Sequence, residues 1–242
     1  MPTMTPVTSL KASGRNHVVS GISGRDLLGE VWRGKSMTRS LMNSRLKIEP
    51  WLSGTTIDFG GGGTPSYLEI LKVTGMFVNM DRIEEARPTV VGDLESYYPV
   101  ASNAADNVIL FNTLEHVYRY QHVVDEMCRV LRPNGKALVY VPFIFPIHTH
   151  QTEAFLVDDF FRYSARSLDR IFRDAGFSRI SIEPLGGLFI VICEFIGFAL
   201  RYQILQFLAQ ALCIGVQRLV ERLRPNTSAQ RYPLGYFIVA QK

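Results

Sequence analysis

The sequence predicts an α/β protein: a doubly wound, Rossmann-like sheet of seven mostly parallel strands, helices on both faces, and a hydrophobic helical insert before the last strand. Three observations carry that prediction. From Thr55 onward, short apolar runs alternate with segments of helical period, the pattern of a parallel sheet covered on both sides. The first of those runs leads directly into four glycines, Gly60 to Gly63. Ahead of the final run, residues 188–200 are almost wholly apolar apart from Glu194.

Seven apolar runs, at residues 55–59, 76–80, 89–91, 107–111, 137–141, 181–185 and 236–240, supply the strands of a full open sheet. Between the fourth and fifth, Val124, Met127, Cys128 and Leu131 fall at the spacing of a helix with one buried stripe. Pro133, Asn134 and Gly135 then stop it. Leu168, Ile171, Phe172 and Ala175 repeat the spacing before the sixth strand, and Gly176 supplies the stop. The chain is thus expected to comprise a partly helical head, residues 1–50, with one or two short helices between Arg25 and Lys47, and a main domain, residues 51–242.

The insert, residues 186–224, is too short in its apolar part for a spanning helix, and Glu194 and Arg201 would be costly in lipid. It reads as a helical hairpin buried against the domain or in a homodimer interface. A membrane-surface contact is the other reading, because Arg218, Arg222 and Arg224 end the segment and favour anionic lipid.

Bulk composition narrows the partners. A surplus of 26 Lys and Arg over 22 Asp and Glu gives a net charge of only +4, so no dense basic stripe for nucleic acid is present. Three cysteines, odd in number and set among apolar neighbours, indicate neither a disulfide framework nor a zinc site, which fits a reducing cytoplasm. Residues 1–10 show no basic start followed by an apolar run, so no secretory signal is expected.

The chemistry gathers where the strands end. In the run Ile57-Asp58-Phe59-Gly60-Gly61-Gly62-Gly63, glycines let the backbone approach a ligand and adopt positive φ, and an expected helix after the turn would offer free N–H groups. Nicotinamide and flavin proteins use a similar turn, but Asp58 stands where they carry a small or apolar residue. Asp81 ends the next strand, with Arg82 after it; its carboxylate can accept both hydroxyls of a ribose or cap a helix. Gly92-Asp93-Leu94 follows the third strand and Asn112-Thr113-Leu114-Glu115-His116 the fourth, so all four segments converge on one crevice.

Those pieces, with Asp106 and the run from Glu126 to Lys136, resemble the class I S-adenosylmethionine-dependent methyltransferases, in particular the group of the ubiquinone and menaquinone enzymes. The resemblance covers about residues 57–182. It implies that S-adenosylmethionine is the cofactor. Asp58, Phe59, Gly60, Gly61, Gly62, Asn112 and Thr113 would surround it, the glycine turn holding its methionine part, Asp81 with Arg82 its ribose, and Asp93 and Leu94 its adenine. Two departures stand out: Thr64-Pro65 replaces a closing glycine, and Asn134 replaces the first glycine of the usual Pro-Gly-Gly. The stretch from Val141 to His148, followed by Asp159-Phe-Phe-Arg-Tyr, is similar to methyltransferases encoded beside surface-glycan synthesis enzymes, though the gap between His148 and Asp159 is longer here.

Methyl transfer to oxygen needs alignment and removal of a proton. Histidine, with a reference pKa of about 6.5, suits a base near neutral pH. His148 is the first candidate, because it follows the fifth strand on the substrate side; His116 and His150 are the others. No metal ligation is demanded, although Asp158, Asp159, His148 and His150 could gather round an ion, and Asp158 and Asp159 could equally cap a following helix. The expected acceptor is a small molecule, sugar or glycan, with a quinone or polyprenyl-linked lipid as the alternative. A non-catalytic, dimerising cofactor binder is a further reading.

Overall fold

A computed structural model of the chain describes residues 24–242 apart from Thr64, Ser66, Tyr97, residues 152–155, Arg201, Pro225 and Asn226. Residues 1–23 of the expected head, and Thr64 of the turn's departure, therefore lie outside the described residues. In chain order the elements are α1 (Gly24–Trp32), α2 (Met37–Leu46), β1 (Leu52–Ser53), β2 (Thr56–Phe59), β3 (Val73–Thr74), β4 (Phe77–Asp81), β5 (Val90–Val91), β6 (Ala105–Phe111), α3 (Tyr120–Val130) and β7 (Leu131–Pro142). Then come β8 (His150–Gln151), β9 (Leu156–Val157), α4 (Ala165–Asp174), β10 (Arg179–Gly186), α5 (Leu188–Ala199), α6 (Gln203–Leu223), α7 (Thr227–Arg231) and β11 (Pro233–Gln241).

The seven-stranded sheet runs β10-β11-β7-β6-β2-β4-β5. β11 pairs antiparallel with both β10 and β7, and every other pairing is parallel. This is the seven-stranded, mostly parallel sheet that the apolar runs predict. Side chains alternate between its faces with the period of two that a pleated strand imposes. Val108 and Leu110 of β6, Val139 and Val141 of β7, and Tyr236 and Ile238 of β11 pack beneath α3 and α4. Ile109, Phe111, Leu138, Tyr140 and Phe237 point the other way, toward α1, α2, α5 and α6.

Both predicted covering helices form. α3 buries Val123, Val124, Met127 and Cys128 and stops at Val130, before Pro133 and Asn134: Leu131, expected in the helix stripe, is already extended and opens β7. α4 buries Leu168, Ile171 and Phe172, is capped by Ser164, whose Oγ accepts from the Ser167 N–H at 3.3 Å, and ends at Gly176 with φ 99°.

Among the described residues, the helix expected after the glycine turn does not form. Residues 67–70 make a turn instead, with the Leu68 N–H on the Pro65 carbonyl at 3.0 Å and the Leu71 N–H on the Tyr67 carbonyl at 2.9 Å. Residue 72 is already committed to the small β1–β3 pair, where its carbonyl accepts from the Leu52 N–H at 2.8 Å, which leaves too little chain for a stable helix. Between Asp81 and Val90 only a 3₁₀ turn, Glu84–Ala86, intervenes.

The head supplies the missing cover. Leu27, Val31, Met37 and Leu41 share one core with Tyr140 and Phe237. Buried Glu194 of α5 accepts the Met37 N–H at 2.6 Å, joining α2 to the insert. Arg45 donates to Glu183 at 2.6 Å and lies over the Phe237 ring at 4.7 Å. The insert is a hairpin, as expected, but only its inner side is buried: Ile190, Cys193, Cys213 and Ile214 face the core, while much of α6 faces outward.

Candidate functional site

A cavity of about 820 Å³ opens at the carboxyl ends of the strands. Gly60 enters it from the end of β2, Asp81 and Arg82 from β4, Asp93 and Leu94 after β5, Asn112, Thr113 and His116 after β6, and His148 after β7. The α1–α2 connection closes one side with Arg33 and Lys35, joined by Arg39 from the first turn of α2, and Phe198 of α5 closes another. The crevice therefore gathers nine of the residues singled out from sequence. Asp58, Phe59, Gly61 and Gly62 sit behind its wall. Phe59 is fully buried and stacks on Tyr98, ring centroids 5.0 Å apart, so only its main chain is available to a ligand. His150 lies on β8, and its side chain is outside the described residues.

The glycine turn is held from below. The buried Asp58 carboxylate accepts the Tyr67 hydroxyl at 2.5 Å. A Cβ on Gly61 would overlap Asp58 Oδ2 and stand 2.5 Å from Tyr67 Oη; one on Gly60, whose φ is 80°, would meet Thr113 Cγ2 at 2.5 Å. Asp81 accepts the Gly62 N–H at 2.9 Å and the Ile83 N–H at 3.0 Å. Asn79, one polar residue in an otherwise apolar stretch of β4, donates to the carbonyls of Gly62 and Gly63 while its Oδ1 accepts from the Thr89 N–H at 2.8 Å. Sequence reasoning missed Asn79; its position two residues before Asp81, on the same side of the strand, is the signal that could have found it.

Burial, together with the nearby Asp81 charge, pushes the Asp58 carboxyl up to about 7, although the Tyr67 hydrogen bond opposes the shift. A folded pKa above that of the unfolded chain means the native state holds its proton where the unfolded state has released it. Asp58 therefore favours folding least above pH 7, and its contribution declines as pH rises from about 4 to about 7. Asp58→Asn is expected to gain stability relative to the parent across that interval by up to about 1.4 kcal/mol per pH unit. Urea unfolding of both proteins at several pH values checks this; parallel curves would refute it.

At the other end of the crevice, two histidines converge on one carboxylate. Glu115 is fully buried, neither oxygen has a hydrogen-bond partner among the described residues, and burial raises its carboxyl to about 8. Nε2 of His116 and Nε2 of His148 each lie 3.8 Å from Glu115 Oε1, and the two rings meet edge to face at 4.7 Å. Nδ1 of His116 lies 2.6 Å from the Asp158 carbonyl, and Nδ1 of His148 lies 3.1 Å from Asp159 Oδ2. Among the described residues, Glu115, His116 and His148 have the mutual spacing of metal ligands; the Asp158, Asp159, His148 and His150 group includes a side chain outside them.

Asp159 is not a helix cap, contrary to one expectation, because residues 158–164 are not helical. It accepts the His148 N–H at 2.9 Å and two nitrogens of Arg162, one at 2.6 Å. Burial alone would raise its pKa, but the Arg162 guanidinium and the His148 N–H outweigh that and hold it at about 2. A charged Asp159 holds the His148 ring at Nδ1, and Nε2 faces Glu115 Oε1 at 3.8 Å. Glu115, Asp159 and Arg162 were not among the sequence-predicted site residues; the Asp-aromatic-aromatic-Arg run marked the last two without revealing their role.

Residues 57–139 match the protein family described as a methyltransferase domain. No curated protein matches the chain. A solved S-adenosylmethionine-dependent methyltransferase from Thermotoga maritima is 14% identical over 90% of this chain and 94% of its own, with a TM-score of 0.52. Another from Archaeoglobus fulgidus is 18% identical over 89% and 98%, with a TM-score of 0.50. Phosphoethanolamine N-methyltransferase 2 of Haemonchus contortus, solved with phosphomonomethylethanolamine and S-adenosylhomocysteine, is 14% identical at a TM-score of 0.48, and this chain spans about half of it, 52%. The likeness to the first two establishes the fold.

Proposed function

We propose that the chain is an S-adenosylmethionine-dependent methyltransferase that methylates an oxygen of a sugar-type or other small acceptor. The observation that carries this reading is the crevice itself: a glycine turn, a carboxylate at each of two neighbouring strand ends, and a histidine pair face the same cavity. Gly60 and Gly61 are required by the turn's own packing, since a Cβ at either would fill space already taken by Thr113 or Asp58. When bound, the cofactor supplies an electrophilic methyl group on a sulfonium. Asp81 would accept the ribose hydroxyls, Leu94 would pack on the adenine, and the Asn112 and Thr113 main chain would border the methionine end. His148, its Nδ1 fixed by Asp159, takes the acceptor proton on Nε2, and His116 packs against that ring.

Calorimetric titration with S-adenosylhomocysteine tests the reading. Micromolar binding is expected, and Asp81→Ala should weaken it by about 1–3 kcal/mol, the loss of a charged hydrogen-bond acceptor. A folded parent that gives no heat at high ligand concentration would sink the assignment. Thermal melts of both proteins separate lost ligand contacts from lost folding, because Asp81 also holds the Gly62 and Ile83 N–H groups.

A further inference from the structure

The outward side of the α5–α6 hairpin carries a continuous apolar stripe. On α6, Ile204, Leu208, Leu212 and Leu219 are 68%, 59%, 69% and 56% exposed. Phe195 of α5 adds to the same surface at 44%. Soluble monomers rarely leave such a contiguous patch uncovered. α6 is long and apolar enough to cross a bilayer by length and composition, but three glutamines tie its inner side to α5. Gln206 donates to the Gly197 carbonyl at 3.1 Å, Gln210 to the Cys193 carbonyl at 3.0 Å, and Gln217 accepts the Phe189 N–H at 3.1 Å. The helix is a fixed part of the fold and lies along a surface rather than through one.

Charge identifies what covers it. Arg218, Arg222 and Arg224, against the single carboxylate of Glu221, stand at the C-terminal end of α6. The other end abuts α1, where Gln203 reaches the Trp32 carbonyl and Arg33 and Lys35 share the single carboxylate of Glu30. Both ends of the stripe are therefore cationic. A second copy of the chain would set like charge against like in either a parallel or an antiparallel pairing. Anionic lipid head groups complement both ends. We propose that this face rests on an anionic lipid bilayer, the stripe entering the boundary between head groups and acyl chains.

The same surface leads into the crevice. Phe198, which lines the cavity, meets the Phe145 ring at 5.7 Å, and Phe145 meets His148 at 5.0 Å. An apolar track thus connects the bilayer-facing stripe to the proposed base. Resting on the methyltransferase reading, this assigns the acceptor to the class of head groups carried on a lipid tail, presented to His148 from the membrane.

Sedimentation of the full chain with phosphatidylcholine vesicles, with and without phosphatidylglycerol, tests the proposal. Partitioning into the anionic vesicles is expected, falling in high salt and with neutral vesicles. Leu208→Glu with Leu212→Glu should lower it by about tenfold per substitution while S-adenosylhomocysteine affinity stays unchanged. A folded parent that binds S-adenosylhomocysteine but sediments with neither vesicle overturns the bilayer assignment. If that parent forms a concentration-dependent dimer that the double variant dissolves, the face belongs to a second copy. Vesicle binding without S-adenosylhomocysteine binding would keep the bilayer contact and remove only the acceptor class that rests on the methyltransferase reading.

Discussion

Gly61→Ala is expected to abolish measurable S-adenosylhomocysteine binding. The new methyl would overlap Asp58 Oδ2 and press on the Tyr67 hydroxyl. Neither group has room to retreat: both are buried, joined at 2.5 Å, and seated on the core side of the turn. Relief must come from the main chain, so the turn lifts into the cavity its ligand would occupy. Overpacking of this kind costs about 1–3 kcal/mol of stability, which leaves the sheet folded. Calorimetry and a melting curve on the same preparation check both halves. Undiminished binding would show that the ligand does not approach the turn.

His148→Ala is expected to lower kcat for methyl transfer by about two to four orders of magnitude while leaving S-adenosylhomocysteine affinity near the parent value. The separation of effects follows from position, since His148 sits beside Glu115, His116 and Asp159, whereas Asp81 and Asn79 hold the glycine turn. Asp159→Asn should produce a smaller loss, because the ring keeps a hydrogen-bond partner but loses the charge that stabilises its protonated form. Single-turnover measurements with a methyl acceptor distinguish the two variants. Full turnover in His148→Ala would remove it from the role of base and leave it a packing residue beside His116.

Much of the sheet was legible because its strands repeat apolar residues in short runs separated by clear stops. All seven appear, and Gly176 ends its helix where its backbone preference requires, while α3 stops at Val130, ahead of Pro133 and Asn134. The missing helix after the glycine turn could not be read, because what prevents it is a pairing between β1 and β3, two-residue strands with no periodicity to detect. Crevice residues at strand ends could be named from chain order, since topology alone carries them to one edge. Glu115, Asp159 and Arg162 escaped for the opposite reason: their arrangement depends on a loop between β7 and α4 folding back toward the end of β6, where the Phe160 N–H bonds the Glu115 carbonyl at 2.9 Å. Local sequence spacing does not encode that return. Nor did it reveal that the α1–α2 connection forms a wall of the cavity.

The position of β11 also bears on synthesis. The last strand of the chain fills the gap between β7 and β10, and β10 has no other partner in the seven-stranded sheet. Lys242 then ties the end of β11 to β7, its Nζ donating to the Leu131 carbonyl at 2.7 Å. The sheet consequently stays open beside β7 until β11 is added, although β10 and the hairpin precede it in the chain. A variant truncated before Pro233 should leave β7 with an unpaired edge, which faster hydrogen exchange along β7 would report.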